Sequence, residues 1–366
     1  MRAALLETPG TPLSIADDVD LRNPRPGEVK VRVKSCGLCH SDVSVVDGAV
    51  QEMLPMILGH EAAGVVEEIG EGVHSVAPGD KVVLTPCPPC GTCYWCVRAE
   101  FSLCERGMGI MTNTFPDGST GLSRAGKRVF RGLNLAGFAE YSVVHETGAV
   151  KIPEETPLEI ACVIGCAVQT GVGAVLNTAG VEEGATVLVM GLGGIGLSAV
   201  QGARLANAAR IIVSDPVAER REAAKAFGAS DLLDPSSDDV VAMTRELTSG
   251  IGVDYAFETA GVAALVTAGF HATRNGGSIV CVGAPPADQA IHIEPAPFFT
   301  IASKKLMGCL LGSVNSLREV PRLISLWRAG RLDLEALITA RRPLAEINAA
   351  MDDLRASRGI RTVLEI

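Results

Sequence analysis

Cysteine is the residue that first carries chemistry in this sequence. Five of the eleven cysteines fall between Cys87 and Cys104, and Cys36 and Cys39 stand just before His40. A chain without a secretory leader has little use for a disulfide framework, so this spacing reads as metal-site arithmetic. Cys90, Cys93, Cys96 and Cys104 supply four thiolates on one loop, and four sulfurs with no open position make a closed, structural zinc site. Spacing alone leaves one ambiguity, because Cys87 also precedes Cys90 by three residues.

A second group is dispersed along the chain: Cys39-His40-Ser41-Asp42, Gly59-His60-Glu61 and Ile164-Gly165-Cys166. Each part alone is as easily a buried cysteine or a satisfied core histidine. Together, two cysteines and one histidine leave zinc a fourth position for water or substrate. That is the arithmetic of a catalytic site.

Gly191-Leu-Gly193-Gly194-Ile195-Gly196 fits G-x-G-x-x-G. Glycine-rich loops also occur as plain turns, but this one lies between an apolar run, Thr186–Met190, and a helical stretch, Ile195–Ala208. In that setting the first glycine allows the tight turn, the second lets backbone approach a pyrophosphate, and the third lets helix and strand pack closely. The helix N-terminus then offers free N–H groups to phosphate. Asp215 follows the next strand, where an acidic side chain accepts both ribose hydroxyls and repels a 2′-phosphate, so NAD is expected over NADP.

The elements that must position these residues come in two styles. Glu28–Lys34 alternates apolar and charged residues as a strand with one wet face, and strands continue at 62–69 and 81–84 around the turn Pro78-Gly79-Asp80. Gly107–Gly137, rich in Gly, Asn, Ser and Arg, is expected to be a long, ordered surface excursion. After Thr170 the pattern becomes strand–helix alternation: strands at 186–190, 210–214, 253–257 and 278–282, helices at 195–208, 219–227, 238–248 and 261–274. Alternation of this kind implies a doubly wound parallel sheet. It ends near Leu310, and the tail carries two amphipathic helices, 317–329 and 344–357, and a strand, 361–365. The fold class is therefore α/β, with a metal-binding catalytic domain at 1–167, a dinucleotide-binding domain at 168–310, and the rest of the catalytic domain at 311–366.

Composition excludes other classes. With 366 residues, two domains is the natural expectation. A formal charge of −10 argues against a nucleic-acid partner, and so against reading the cysteine lobe as a nucleic-acid zinc ribbon. Ile160–Val181 and Gly184–Ala203 lack charge over a bilayer's length, but their Gly, Thr, Gln and Asn content suits buried α/β segments. No membrane partner is expected, and with no apolar leader at Met1–Glu7 the expected location is cytoplasmic.

Gly37-Leu-Cys39-His-Ser-Asp42, Gly59-His60-Glu61, the Cys90/Cys93/Cys96/Cys104 lobe, Gly165-Cys166, the Gly191 loop and Gly359-Ile-Arg361-Thr362 occur in an order and spacing that resembles the zinc-containing medium-chain alcohol dehydrogenases. The likeness covers essentially the whole chain. It implies a GroES-like β-rich catalytic domain interrupted by a Rossmann domain, two zinc ions per chain, NAD, a small alcohol or aldehyde substrate and a homodimer. It implies that Cys39, His60 and Cys166 hold catalytic zinc, that Ser41 holds the substrate hydroxyl and passes its proton on through the cofactor ribose, that Asp42 orients His60, and that Glu61 lies behind the metal. His40 and Arg361 would contact the pyrophosphate, Arg220 the adenosine end, and Thr170 and Ile195 the nicotinamide. The resemblance also favours Cys90 over Cys87. Pro86, Phe115 and Phe138 would line the substrate pocket, and the small side chains near Cys87 leave room for a bulky alcohol.

Two positions depart from the family pattern. Ser44 stands where many members carry a proton-relay histidine, and Met108 where the glutathione-dependent branch carries a basic residue. The expected activity is interconversion of a primary alcohol, aromatic or allylic, and its aldehyde. The alternatives are a glutathione- or mycothiol-dependent formaldehyde dehydrogenase and a nicotinoprotein whose NAD stays bound. A zinc-free quinone reductase would lack these ligands, and a non-catalytic zinc-binding regulator would not need both a zinc triad and a dinucleotide loop.

Overall fold

A computed structural model describes residues 1–49 and 53–366. The chain forms two compact units, one of Met1–Ala167 with Val314–Ile366 and one of Val168–Ser313.

The first unit is built on the strand Glu28–Gly37. Val29, Val31 and Val33 point into a core of Val, Leu and Phe side chains, while Lys30, Arg32 and Lys34 point outward, as the alternation requires. This strand pairs antiparallel with Glu61–Ile69, Tyr141–His145 and Arg361–Glu365. Lys81–Leu84 and Ala149–Lys151 extend the sheet beyond Glu61–Ile69, and Ile338–Pro343 extends it beyond Arg361–Glu365. The register sets Gly37 opposite both Glu61 and Val363. Three strand termini thereby meet at one place, just where Cys39, His60 and Arg361 leave or enter the sheet.

The segment 107–137 differs from the expected surface excursion. It holds the hairpin Leu122–Arg124/Lys127–Arg131, which joins a second six-stranded sheet through Val19–Leu21 and Met56–Ile57. Leu122, Val129, Phe130 and Leu135 are buried. The hairpin turns at Ala125 and Gly126, both at positive φ, the geometry of a tight two-residue turn. Alanine rarely adopts it, which is why the sequence pattern hid the turn.

The second unit is a six-stranded, all-parallel sheet. Thr186–Met190 is central, with Arg210–Ser214 and Asp231–Leu233 on one side and Val253–Glu258, Thr273–Cys281 and Lys305–Gly308 on the other. In strand sequence this is the order 3-2-1-4-5-6 of a dinucleotide-binding sheet. The helices Gly194–Leu205, Ala218–Phe227, Val240–Leu247 and Ala263–Ala272 connect them. Two short strands, Asp231–Leu233 and Lys305–Gly308, carry too few residues for an alternation to be read. The strand expected at 278 begins at Thr273, which pairs with Val253 before a bulge; the glycines 276 and 277 sit within the strand instead of ending a helix.

Among the described residues no single helix is long and apolar enough to cross a membrane, although the bent pair Leu158–Gly165 and Ala167–Ala179 passes by length and composition. Ile160–Gly165 in the first unit and Val168–Val175 in the second are buried.

Candidate metal centres and dinucleotide loop

In the lobe, the four sulfurs of Cys90, Cys93, Cys96 and Cys104 lie within 4.8 Å of one another. The pairs Cys90–Cys96 and Cys93–Cys104 are each 3.9 Å apart. A tetrahedron with Zn–S of about 2.3 Å has edges of about 3.8 Å, so the donor set fits zinc. Backbone N–H groups of Thr92 and Cys93 donate to Cys90 Sγ at 3.4 and 3.3 Å. They outweigh the effect of burial and bring the Cys90 thiol down to about 6. Cys87 lies outside the cluster, where burial pushes its thiol up to about 12. The geometry thus groups Cys90, and not Cys87, with the other three sulfurs of the lobe.

The second cluster joins Cys39, His60, Glu61 and Cys166, again with ligand atoms within 4.8 Å. Cys39 caps the short helix His40–Val46, and His60 directly precedes the strand Glu61–Ile69. Cys166 follows the turn Cys162–Gly165, which packs on Lys81–Leu84 so closely that a Cβ on Gly165 would lie 2.8 Å from the Leu84 carbonyl. Asp42 is fully buried beneath them. Its Oδ2 accepts from the Cys39 N–H at 3.1 Å, and its Oδ1 from the Gly59 N–H at 3.0 Å, with His60 Nδ1 at 3.2 Å. With Nδ1 turned to the carboxylate, Nε2 is the ring atom left for a metal. Ser41 Oγ lies 3.7 Å from Cys39 Sγ and Ser41 is exposed.

Glu61 is fully buried, and burial lifts its carboxyl to about 7 against the pull of Arg361. Arg361 Nη1 is 3.3 Å from Glu61 Oε1 and donates to the Leu38 carbonyl at 2.7 Å. Arg361, expected at the pyrophosphate, is thus 6% exposed and braces Glu61; its buried Nε lacks a partner among the described residues. A Cβ on Gly37 would fall 2.2 Å from Glu61 Oε2, so glycine is required there. His40 is exposed at the start of its helix, and Ser44 donates to the His40 carbonyl at 3.0 Å. Phe138, expected in a pocket wall, has no exposed surface and belongs to the core, while Phe115 lines a separate cavity.

In the second unit, Gly193 caps the helix Gly194–Leu205 without a side-chain partner for its first N–H groups, and a Cβ on Gly193 would meet open space. A Cβ on Gly196 would collide with the Gly191 carbonyl at 1.8 Å. This is a cradle in which backbone can approach a phosphate. Gly194 and Gly196 are buried, and Ile195 is half-buried between them. Asp215, directly after Arg210–Ser214, accepts from the Leu192 N–H at 2.6 Å and the Val217 N–H at 2.8 Å. Arg220 is buried on the helix Ala218–Phe227. Thr170 Oγ1 is buried without a hydrogen-bond partner among the described residues, an orphan suited to a cofactor's polar group.

Two residues that the sequence did not single out hold this loop and the turn at 260–262. Thr259 Oγ1 donates to the carbonyls of Met190 and Gly191 at 3.1 and 2.7 Å. Glu258 Oε1 accepts from the N–H groups of Ala260, Gly261 and Val262 at 2.8 to 3.2 Å. An acidic residue closing an apolar strand was the available cue.

Comparison with known proteins identifies the family. Residues 25–154 match the alcohol dehydrogenase GroES-like domain, and residues 194–326 match the zinc-binding dehydrogenase family. An NDMA-dependent alcohol dehydrogenase from Amycolatopsis methanolica is 38% identical over 366 residues, covering 99% of this chain and 98% of that protein. Two solved structures superimpose with a TM-score of 0.94. An alcohol dehydrogenase zinc-binding domain protein from Burkholderia ambifaria is 35% identical, over 100% of this chain and 98% of that one. A benzyl alcohol dehydrogenase from Acinetobacter calcoaceticus is 30% identical, over 100% and 99%.

Proposed function

This chain belongs to the zinc-binding alcohol dehydrogenase family, and from that premise we propose that it interconverts an aromatic or allylic primary alcohol and its aldehyde, with NAD as hydride acceptor and two zinc ions per chain. The observation that carries this reading is the convergence of Cys39, His60 and Cys166 beside an exposed Ser41; with Glu61, the fourth donor of the cluster, paired to Arg361, these three would leave a donor position for an alcohol that the four-sulfur lobe lacks.

Cys39, His60 and Cys166 would hold a zinc ion that, when bound, would supply Lewis acidity at the alcohol oxygen, and the Gly191–Gly196 loop would hold a nicotinamide cofactor that would supply the hydride acceptor. Asp42 fixes the His60 ring, and Glu61 with Arg361 braces the site from behind. Ser41 takes the alcohol proton and gives it up to solvent or to the exposed His40. Asp215 favours NAD, because a carboxylate that accepts ribose hydroxyls repels a phosphate in the same place. The benzyl alcohol dehydrogenase likeness supports the aromatic substrate class. Met108, exposed where a thiol-dependent branch needs a basic residue, speaks against glutathione-dependent formaldehyde oxidation.

A second reading is favoured by the NDMA-dependent relative: NAD remains bound and an external acceptor completes turnover. Cofactor released from denatured, extensively dialysed protein, near one NAD(H) per chain, selects that reading. A panel of aliphatic, aromatic and allylic alcohols with added NAD tests the first. For the metal, Cys39→Ser should remove one of two zincs and nearly all turnover while leaving a folded protein. Elemental analysis that finds a single zinc in the unaltered protein would sink the scheme.

The exposed edge strand Lys305–Gly308, with Phe298, Ile301, Leu306 and Leu310 uncovered beside it, supports a homodimer formed through this face, since an unpaired edge flanked by apolar side chains invites a second strand.

A further inference from the structure

A cavity of about 380 Å³ opens in the first unit and is lined by none of the catalytic cluster. Its size is that of a small-molecule site. One wall is apolar, with Pro88, Phe115, Pro116, Leu135 and Val144; another carries Arg25, Arg106 and Arg131 against Glu28 and Asp117.

Both carboxylates are already occupied. Glu28 takes Arg22 through both oxygens and the Arg25 N–H at 2.8 Å. Asp117 takes Arg25 at 2.5 Å and the Ser119 N–H at 2.9 Å. Arg106 and Arg131 are different: neither makes an ion pair among the described residues. Arg131 is 3% exposed. It donates only to neutral acceptors, Asn134 Oδ1 at 3.2 Å and the carbonyls of Asn134 and Val143 at 2.8 and 3.0 Å, and it lies over the Phe115 ring at 3.7 Å. Arg106 Nη1 meets His145 Nδ1 at 3.2 Å, a ring nitrogen that also accepts from the Thr147 N–H. That leaves His145 neutral, and burial with Arg106 holds it below the ordinary histidine range. Asn134 links the two guanidinium groups, since its Nδ2 donates to the Arg106 carbonyl at 3.3 Å.

A structural strut explains the three bonds of Arg131 to Asn134 and to Val143 on the strand Tyr141–His145. It does not explain a second unneutralised guanidinium beside it on the wall of an open cavity. Burying a charge without a carboxylate in contact is costly: burial draws the Arg131 guanidinium down to about 9, and Glu28, itself paired with Arg22, offsets this only in part. We propose that this cavity binds a small organic carboxylate, its anionic end neutralising Arg106 and Arg131 and its apolar body lying against Phe115 and Pro116. An inorganic anion would satisfy the charge but leave the apolar wall wet.

The test uses 4-bromobenzoate with the zinc-loaded protein, its catalytic zinc saturated with imidazole. Bromine anomalous signal in soaked crystals locates the ligand, and calorimetry measures its affinity. We expect density in this cavity, one equivalent bound per chain, and Kd raised at least about tenfold in Arg106→Gln, the loss of one charge-assisted hydrogen bond. Alcohol turnover should be unchanged in that variant. Arg131→Lys, which keeps the charge but loses the planar fork, should weaken binding too; if it fails to fold, Arg106→Gln still decides. Bromine found only elsewhere, equal affinity in Arg106→Gln, or equal binding of the neutral 4-bromobenzamide would overturn the proposal. So would inorganic phosphate binding more tightly than 4-bromobenzoate with the same Arg106 dependence.

Discussion

Asp42 binds three groups with two oxygens: the N–H of Cys39, the N–H of Gly59 and the ring of His60. It therefore fixes two proposed ligands and the backbone beside one of them. Asp42→Ala should lower the affinity of the catalytic site for zinc, or turnover, by about 10- to 100-fold, the usual effect of removing a group that orients a metal-binding histidine. Chelator competition, following the two zincs separately, should find the lobe zinc retained. Equal zinc retention and equal turnover in the variant would show that His60 needs no such support. Ser44 poses the proton question. Its hydroxyl is tied to the His40 carbonyl, and it supplies no imidazole of its own to take the proton. Ser44→His should raise the rate of alcohol oxidation below neutral pH and flatten its pH dependence, because an added base accepts the proton directly. Single-turnover hydride transfer isolates this step from product release; superimposable pH profiles for variant and wild type would mean that proton escape never limits the rate.

At the scale of elements, the sites sit where strands end. The strand Arg210–Ser214 delivers Asp215, and the same carboxylate ties the glycine loop through the Leu192 N–H. Asp215→Gly therefore removes the proposed ribose partner and the tie to the Leu192 N–H together. The expected outcome is a fall in kcat/KM for NAD of about 10- to 100-fold, one or two charged hydrogen bonds, with a smaller gain for NADP. Steady-state kinetics with both cofactors measures this, and equal efficiency with both in the unmodified protein would contradict the assigned preference. These elements were legible because their patterns are local: the alternation in Glu28–Lys34, the apolar run Thr186–Met190, the glycines that follow. The hairpin at Leu122–Arg131 was not, since its turn relies on Ala125 at positive φ and its burial on the distant strands Val19–Leu21 and Met56–Ile57.

For the whole molecule, the edge of the parallel sheet is the exposed feature that bears on assembly. Ile301 is 76% exposed beside an unpaired strand. A charge there should oppose any partner copy seated on that face, so Ile301→Asp is expected to shift the protein from dimer to monomer in analytical ultracentrifugation. A wild type that sediments as a monomer at micromolar concentration would remove the proposed interface altogether.

The sequence by itself determined whatever is written within one loop or one strand. Cys90, Cys93, Cys96 and Cys104 span few enough residues that their spacing points to a shared metal, with Cys87 as the one rival to Cys90, and the Gly191–Gly196 loop carries its own geometry. Tertiary structure decided what depends on distant residues meeting. Cys39, His60 and Cys166 converge because the ends of Glu28–Gly37 and Glu61–Ile69 lie side by side and the turn before Cys166 packs on Lys81–Leu84. Burial, equally invisible in the sequence, assigned Phe138 to the core, turned Arg361 onto Glu61, set Cys87 apart as a neutral thiol and left Arg131 charged beside a cavity. Desolvation is a property of what surrounds a side chain, and a sequence names the side chain without its surroundings.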